Sequence, residues 1–261
     1  GIPCASLDRP TAPEAVDTRL VHAMAEAGFV TLRVDKPGLG DSEGPPCGDI
    51  DFQTELAGYR AALAYLRSLP SVDPERVYVF GHSMGGVMAP FLMAPGETGE
   101  APVRGAIVYG TLARTWLEYV LENIRRQYPL MGASQARTTD ALEPMIALWT
   151  GVMFEGRTVA QVLETAPALR MMDPTLEPER IYGRHVTFFR ELQALNLAQA
   201  WSEARGHVLA LHGEHDFVAP ELDHRLIADI VNAADASAGG TTDGPLPRGV
   251  MRTLPGADHA F

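Results

Sequence analysis

Gly81-His82-Ser83-Met84-Gly85 has the form G-x-S-x-G. A serine hydroxyl is a poor nucleophile until a base within hydrogen-bond reach takes its proton and a third group orients that base. The glycines have a mechanical reason. A sharp strand-to-helix turn strains the serine backbone, so the residues two before and two after must be small. The turn lifts the hydroxyl off the sheet edge. It also aims the free N–H groups of a helix N-terminus at the reacting oxygen. For a Ser…Asp…His chain order, the acid should follow a later strand and the histidine the last one. His212-Gly213-Glu214-His215-Asp216 follows an apolar run, which makes Asp216 the expected acid and Glu214 its local rival. Pro255-Gly256-Ala257-Asp258-His259 follows the last such run, which makes His259 the expected base. His82, His212 and His215 flank the other two members. His22, His185, His207 and His224 fall on expected helices or strand starts, where a structural or surface role is the default.

Strands ending at those residues must alternate with helices. Val77–Phe80 is apolar at every position, as a strand buried on both faces requires. It leads directly into the elbow, and a helix runs from there to about Met93. Phe29–Asp35, Gly105–Gly110, Val208–Gly213 and Val250–Leu254 read as further strands. Helical spacing marks residues 13–27, 56–66 and 220–233, and residues 236–249 read as a surface loop. The alternation predicts an α/β fold, a mostly parallel sheet with helices on both faces. Residues 111–206 break the rhythm. They lack a convincing strand run and carry helical patterns near 114–127, 138–150, 158–168 and 179–200. They also hold Trp116, Trp149 and Trp201. This segment reads as a helical cap inserted in a core of residues 1–110 and 207–261. Most of its apolar residues should pack it onto the core, and some should line a pocket beneath it.

Composition excludes several function classes. The chain has 261 residues, 46% hydrophobic and 21% charged, which suits a folded globular protein. No apolar run approaches the length of a membrane span. The net charge of −12 argues against a nucleic-acid or anionic-membrane surface. Two cysteines are too few for a disulfide scaffold. H-E-x-x-H, clustered Cys/His and a dinucleotide G-x-G-x-x-G after a first strand are all missing, so no cofactor and no metal is expected.

Together these motifs resemble the α/β-hydrolase superfamily. The resemblance rests on the Gly81–Gly86 elbow, His212–Pro220 and Pro255–His259. Asp35-Lys36-Pro37-Gly38-Leu39-Gly40-Asp41-Ser42 adds a match to the D-x-x-G-x-G-x-S loop. It implies a serine hydrolase with a helical cap between its sixth and seventh strands. Met84 N–H would then be one oxyanion-hole donor. Gly1-Ile2-Pro3 is similar to the G-x-P of the other oxyanion loop, so Ile2 N–H would be the second. The family's first three strands would precede Gly1 and its closing helix would follow Phe261, so the chain is expected to be the middle of a longer protein. Cys4 and Cys47 would follow neighbouring strands. A Cys4–Cys47 disulfide is then within reach, with free thiols as the alternative.

The resemblance also narrows the chemistry. Relatives that dehalogenate or open epoxides carry aspartate at the elbow, where this chain has Ser83. Hydrolysis of a carboxylic ester through an acyl-enzyme is the favoured reading, with a small-molecule acyl substrate. A peptidase or amidase with the same triad is one alternative, with Glu118, Glu122, Glu143 and Glu155 as candidate anchors for a substrate amine. A non-catalytic binding module on the same fold is the other, and it would show a broken triad.

Overall fold

A computed structural model describes residues 16–94, 102–237 and 247–260. Gly1-Ile2-Pro3 and Cys4 lie outside them. Four apolar runs pair as one parallel sheet: β1 (Tyr78–His82), β2 (Gly105–Tyr109), β5 (His207–Gly213) and β6 (Gly249–Leu254), in the order β1-β2-β5-β6. Register aligns their C-terminal ends. His82 lies opposite Tyr109, Tyr109 opposite Leu211, and Gly213 opposite Leu254. All the turns that follow these strands therefore emerge at one edge of the sheet.

Helices α3 (Met84–Met93) and α10 (Glu221–Ser237) pack against the sheet, α2 (Phe52–Ser68) packs against α3, and α1 (Val16–Glu26) precedes them in the chain. The α3 helix is apolar almost all round, and Gly86 and Val87–Pro90 are buried. Such a helix must be enclosed on most sides. Trp201, Val108, Val208 and Ile227 pack with it in one core cluster.

Between β2 and β5 the chain is mostly helical: α4 (Trp116–Leu130), α5 (Gln135–Met153), α6 (Val159–Thr165), α7 (Leu169–Met172), α8 (Val186–Ala194) and α9 (Leu197–Glu203). All of them but α7 start at a side chain that satisfies an otherwise orphaned backbone N–H group. Thr115 with Glu118 and Thr158 with Gln161 form capping boxes. Trp116, Trp149, Phe188 and Phe189 stack edge-on or tilted at 5–6 Å and bury almost completely. These four side chains belong to the buried core.

Three sequence expectations are corrected. Phe29–Asp35 is extended but forms no ladder, and Phe29, Val30, Leu32 and Val34 stay exposed. A strand needs a hydrogen-bonding neighbour, and no described segment pairs with this one. The Phe29 ring touches Tyr78 edge-on at 6.4 Å without joining β1. Second, β1 is not buried on both faces. It is an edge strand among the described residues, and Tyr78 and Phe80 are 47% and 39% exposed. Third, the 111–206 segment does contain strand. Two-residue strands β3 (Arg180–Ile181) and β4 (Arg184–His185) pair antiparallel around Tyr182-Gly183. They are too short to leave a period-2 signal.

This hairpin delivers Arg184 into the core. The guanidinium is fully buried, pairs with Glu55 on α2, lies 4.0 Å over the Phe188 ring and donates to the Cys47 carbonyl. Lys36 reaches the same carboxylate at 3.2 Å. Burial lowers the Lys36 pKa, and Glu55 only partly opposes it. Cys47 itself is disulfide-bonded, so the free-thiol alternative is excluded for it. The chain's other cysteine is Cys4.

Candidate active site

Ser83 occupies the turn between β1 and α3 with φ 55° and ψ −120°, a conformation that costs a non-glycine residue roughly 1–3 kcal/mol. Its own N–H donates to Tyr109 O at 2.9 Å and its carbonyl accepts from Gly86 N–H at 2.9 Å, which hold the turn closed. A Cβ at Gly81 would sit 2.5 Å from Gly85 O, so the elbow closes only on glycine. Met84 is the first residue of α3, where the helix leaves N–H groups without intrahelical partners.

Asp216 follows β5. Its Oδ1 accepts the N–H groups of Val218 and Ala219, both at 2.8 Å. His259 Nδ1 lies 3.0 Å from Oδ2 and 3.1 Å from Oδ1. Burial alone would raise the Asp216 carboxyl. The bonds from His259, Ala219 and Val218 outweigh it and hold the pKa below the ordinary aspartate value. Glu214, the rival acid, points elsewhere and accepts Gly256 N–H at 2.8 Å.

His259 follows β6, while Ser83 follows β1. Three strand spacings, roughly 14 Å, separate those strand ends. The return turn after β6 spans the gap by folding back over the ends of β5 and β2. Gly213 makes room: a Cβ there would meet Ala257 O and Asp258 O at 2.7 Å. Tyr109 Oη donates to Asp258 O as the turn passes. His82 Nε2–H then donates to His259 O at 2.7 Å, with the two rings 5.0 Å apart. The His259 ring is thereby anchored beside the elbow. No hydrogen bond joins Ser83 Oγ to His259 among the described residues.

Gly110 belongs to none of the sequence motifs. It has φ +57°, and a Cβ there would lie 2.9 Å from His259 Nδ1 and 3.0 Å from Asp216 Oδ2. The available signal was a glycine closing an apolar strand, at the same end as Gly213. Two of the acidic candidates for an amine site are otherwise engaged. Glu118 caps α4, Glu122 pairs with Arg126, and Glu143 and Glu155 face solvent. Among the described residues no three His, Cys, Asp or Glu side chains could hold a metal ion, and no helix is long and apolar enough to cross a membrane.

The model of the alpha/beta hydrolase family matches residues 12–261. Over 69 residues the chain is 39% identical to the quorum-quenching protein AidA of Acinetobacter baumannii, covering 26% of this chain and 23% of that protein. Over 62 residues it is 34% identical to the thiohydrolase aneE of Aspergillus aculeatus, 24% of this chain and 20% of that one. The matched stretches thus span less than a quarter of either relative. The α/β hydrolase GrgF from a Penicillium species superposes with a TM-score of 0.54 at 16% identity, over 94% of this chain and 78% of its own. The fold, the elbow and the family match agree: this chain belongs to the α/β-hydrolase family.

Proposed function

We propose that the chain is a serine hydrolase that cleaves a carboxylic ester through an acyl-enzyme. Ser83 attacks the carbonyl carbon as His259 takes its proton. Asp216 holds the imidazole in the Nδ1–H tautomer and stabilises the imidazolium. Met84 N–H receives the oxyanion, joined by Ile2 N–H from outside the described residues. His259 then protonates the leaving alkoxide, and water releases the acid by the same steps in reverse. The helical segment between β2 and β5 serves as the cap over a small-molecule acyl substrate.

The observation that carries this reading is the strained Ser83 turn beside a histidine already paired to a hydrogen-bonded carboxylate. Strain of this kind persists only where the surrounding structure holds it, and it concentrates at functional sites. A binding module would have no need of the Asp216–His259 pair. Engagement of Glu118 and Glu122 removes support from an amine-anchoring peptidase. The naming of aneE as a thiohydrolase supports a thioester as a second leaving-group class, since the same acyl chemistry serves both.

A panel of p-nitrophenyl esters, acyl thioesters and aminoacyl naphthylamides tests the proposal, alongside a fluorophosphonate probe. Ester turnover and a probe adduct on Ser83 are expected. Ser83→Ala should lose both, with turnover falling on the order of a million-fold. Wild-type ester hydrolysis by Ser83→Ala would overturn the assignment.

A further inference from the structure

The turn that carries Asp216 is held along its whole length from outside. Its two N–H groups at Val218 and Ala219 face inward to the carboxylate. The four consecutive carbonyls that follow Asp216 all face outward, and each accepts a side-chain donor. Phe217 O accepts from Arg126 and from Gln127 at 3.2 Å. Val218 O accepts from Asn123 at 2.8 Å and Arg126 at 3.0 Å. Ala219 O lies 3.1 Å from His212 Nε2, and Pro220 O lies 3.0 Å from His224 Nδ1.

His224 does more than hold one carbonyl. Its Nε2 lies 3.1 Å from Thr111 N. A backbone N–H can only donate and a carbonyl can only accept, so Nε2 is the acceptor and Nδ1 carries the hydrogen. The ring is therefore neutral and in one tautomer. It cross-links the turn after β5 to the turn after β2, where Gly110 packs directly against the Asp216–His259 pair. Both His224 and Thr111 are completely buried. His212 stands edge-on to the His224 ring at 5.1 Å.

We propose that His224 is a positioning residue for the acid of the triad, a neutral cross-link that fixes Asp216 against His259 by tying Pro220 to Thr111. The inference rests on the proposed Ser83–His259–Asp216 triad and deepens it. A second proton on the ring would set N–H against N–H at Thr111, so the device works only in its neutral form. Burial agrees, lowering the His224 pKa to about 4. The charged and titratable groups around the ring are His212 on β5, Asp216 after it and His259 after β6.

Three substitutions separate the two bonds. His224→Asn can keep the donor to Pro220 O, His224→Gln can keep an acceptor for Thr111 N–H, and His224→Leu keeps neither. We expect kcat for a p-nitrophenyl ester to fall roughly 10- to 100-fold in His224→Leu, with partial rescue by Asn or Gln and little change in KM. The acidic limb of the kcat/KM profile should move to lower pH, because a displaced carboxylate supports the imidazolium less. In an Asp216→Asn background the same substitutions should have no further effect on the residual rate, since they act through Asp216. If His224→Leu does not fold, the Asn and Gln variants decide alone. Wild-type kcat and an unmoved acidic limb in the folded variants would overturn the inference, as would an equal loss in the Asp216→Asn background. Absence of ester turnover and of probe labelling in the wild type would instead overturn the triad reading itself.

Discussion

Adding one methyl group at Gly110 should damage chemistry more than stability. A Cβ there would come 2.9 Å from His259 Nδ1 and 3.0 Å from Asp216 Oδ2, where ordinary Cβ contacts begin near 3.4 Å. Either partner must retreat by about 0.4–0.5 Å. The Nδ1–Oδ2 bond is 3.0 Å, so the same displacement stretches it to roughly 3.4–3.5 Å, where a hydrogen bond is nearly lost. A 1 Å misplacement in a catalytic constellation costs about a hundred-fold, so Gly110→Ala should lower kcat/KM roughly 10- to 100-fold, or 1.4–2.7 kcal/mol. The positive φ of 57° adds about 1–2 kcal/mol of backbone strain to the folding free energy. Gly132→Ala and Gly156→Ala provide the control. Both have positive φ, 78° and 69°, and open space where the Cβ would sit. They should show the same loss of stability with full activity. Urea titrations and p-nitrophenyl ester kinetics on the three variants read both quantities. If Gly110→Ala matched Gly132→Ala in kcat/KM, the packing argument at the strand end would be wrong.

Arg184→Met should lower stability by about 3–5 kcal/mol, because Glu55 would lose its buried guanidinium partner and keep only Lys36 and the Tyr59 hydroxyl. In a chain of this size that is a fall in Tm of roughly 10 °C, readable by calorimetry, with ester turnover retained at low temperature. Acid should destabilise the fold in two windows. His224 is held neutral with a pKa near 4 against about 6.5 unfolded, so its contribution is complete above pH 6.5 and shrinks as pH falls toward 4. The loss amounts to about 3 kcal/mol, and His224→Gln should flatten that part of the urea-midpoint profile. Asp216 has a lowered pKa, so its contribution is present above its unfolded value and disappears only at more acid pH.

Local sequence carried the parts of the site that depend on local geometry. The elbow was legible because only glycine two residues before Ser83 avoids Gly85 O, and because an all-apolar strand runs into it. Asp216 and His259 were legible as the polar residues closing apolar strand runs. The β1, β2, β5 and β6 strands and most helices followed from the same periodicity. Tertiary structure decided everything that depends on pairing or crossing. Phe29–Asp35 has the composition of a strand, yet a strand is a relation between two segments and no described neighbour supplies the other half. Gly110, Gly213 and Tyr109 gain their meaning only when the turn after β6 crosses two strand ends to bring His259 beside His82 of the elbow. His224 read as an ordinary helix histidine because both its partners, Thr111 and Pro220, are backbone groups. A backbone N–H or carbonyl is present at almost every residue, so such a bond leaves no trace in residue identity.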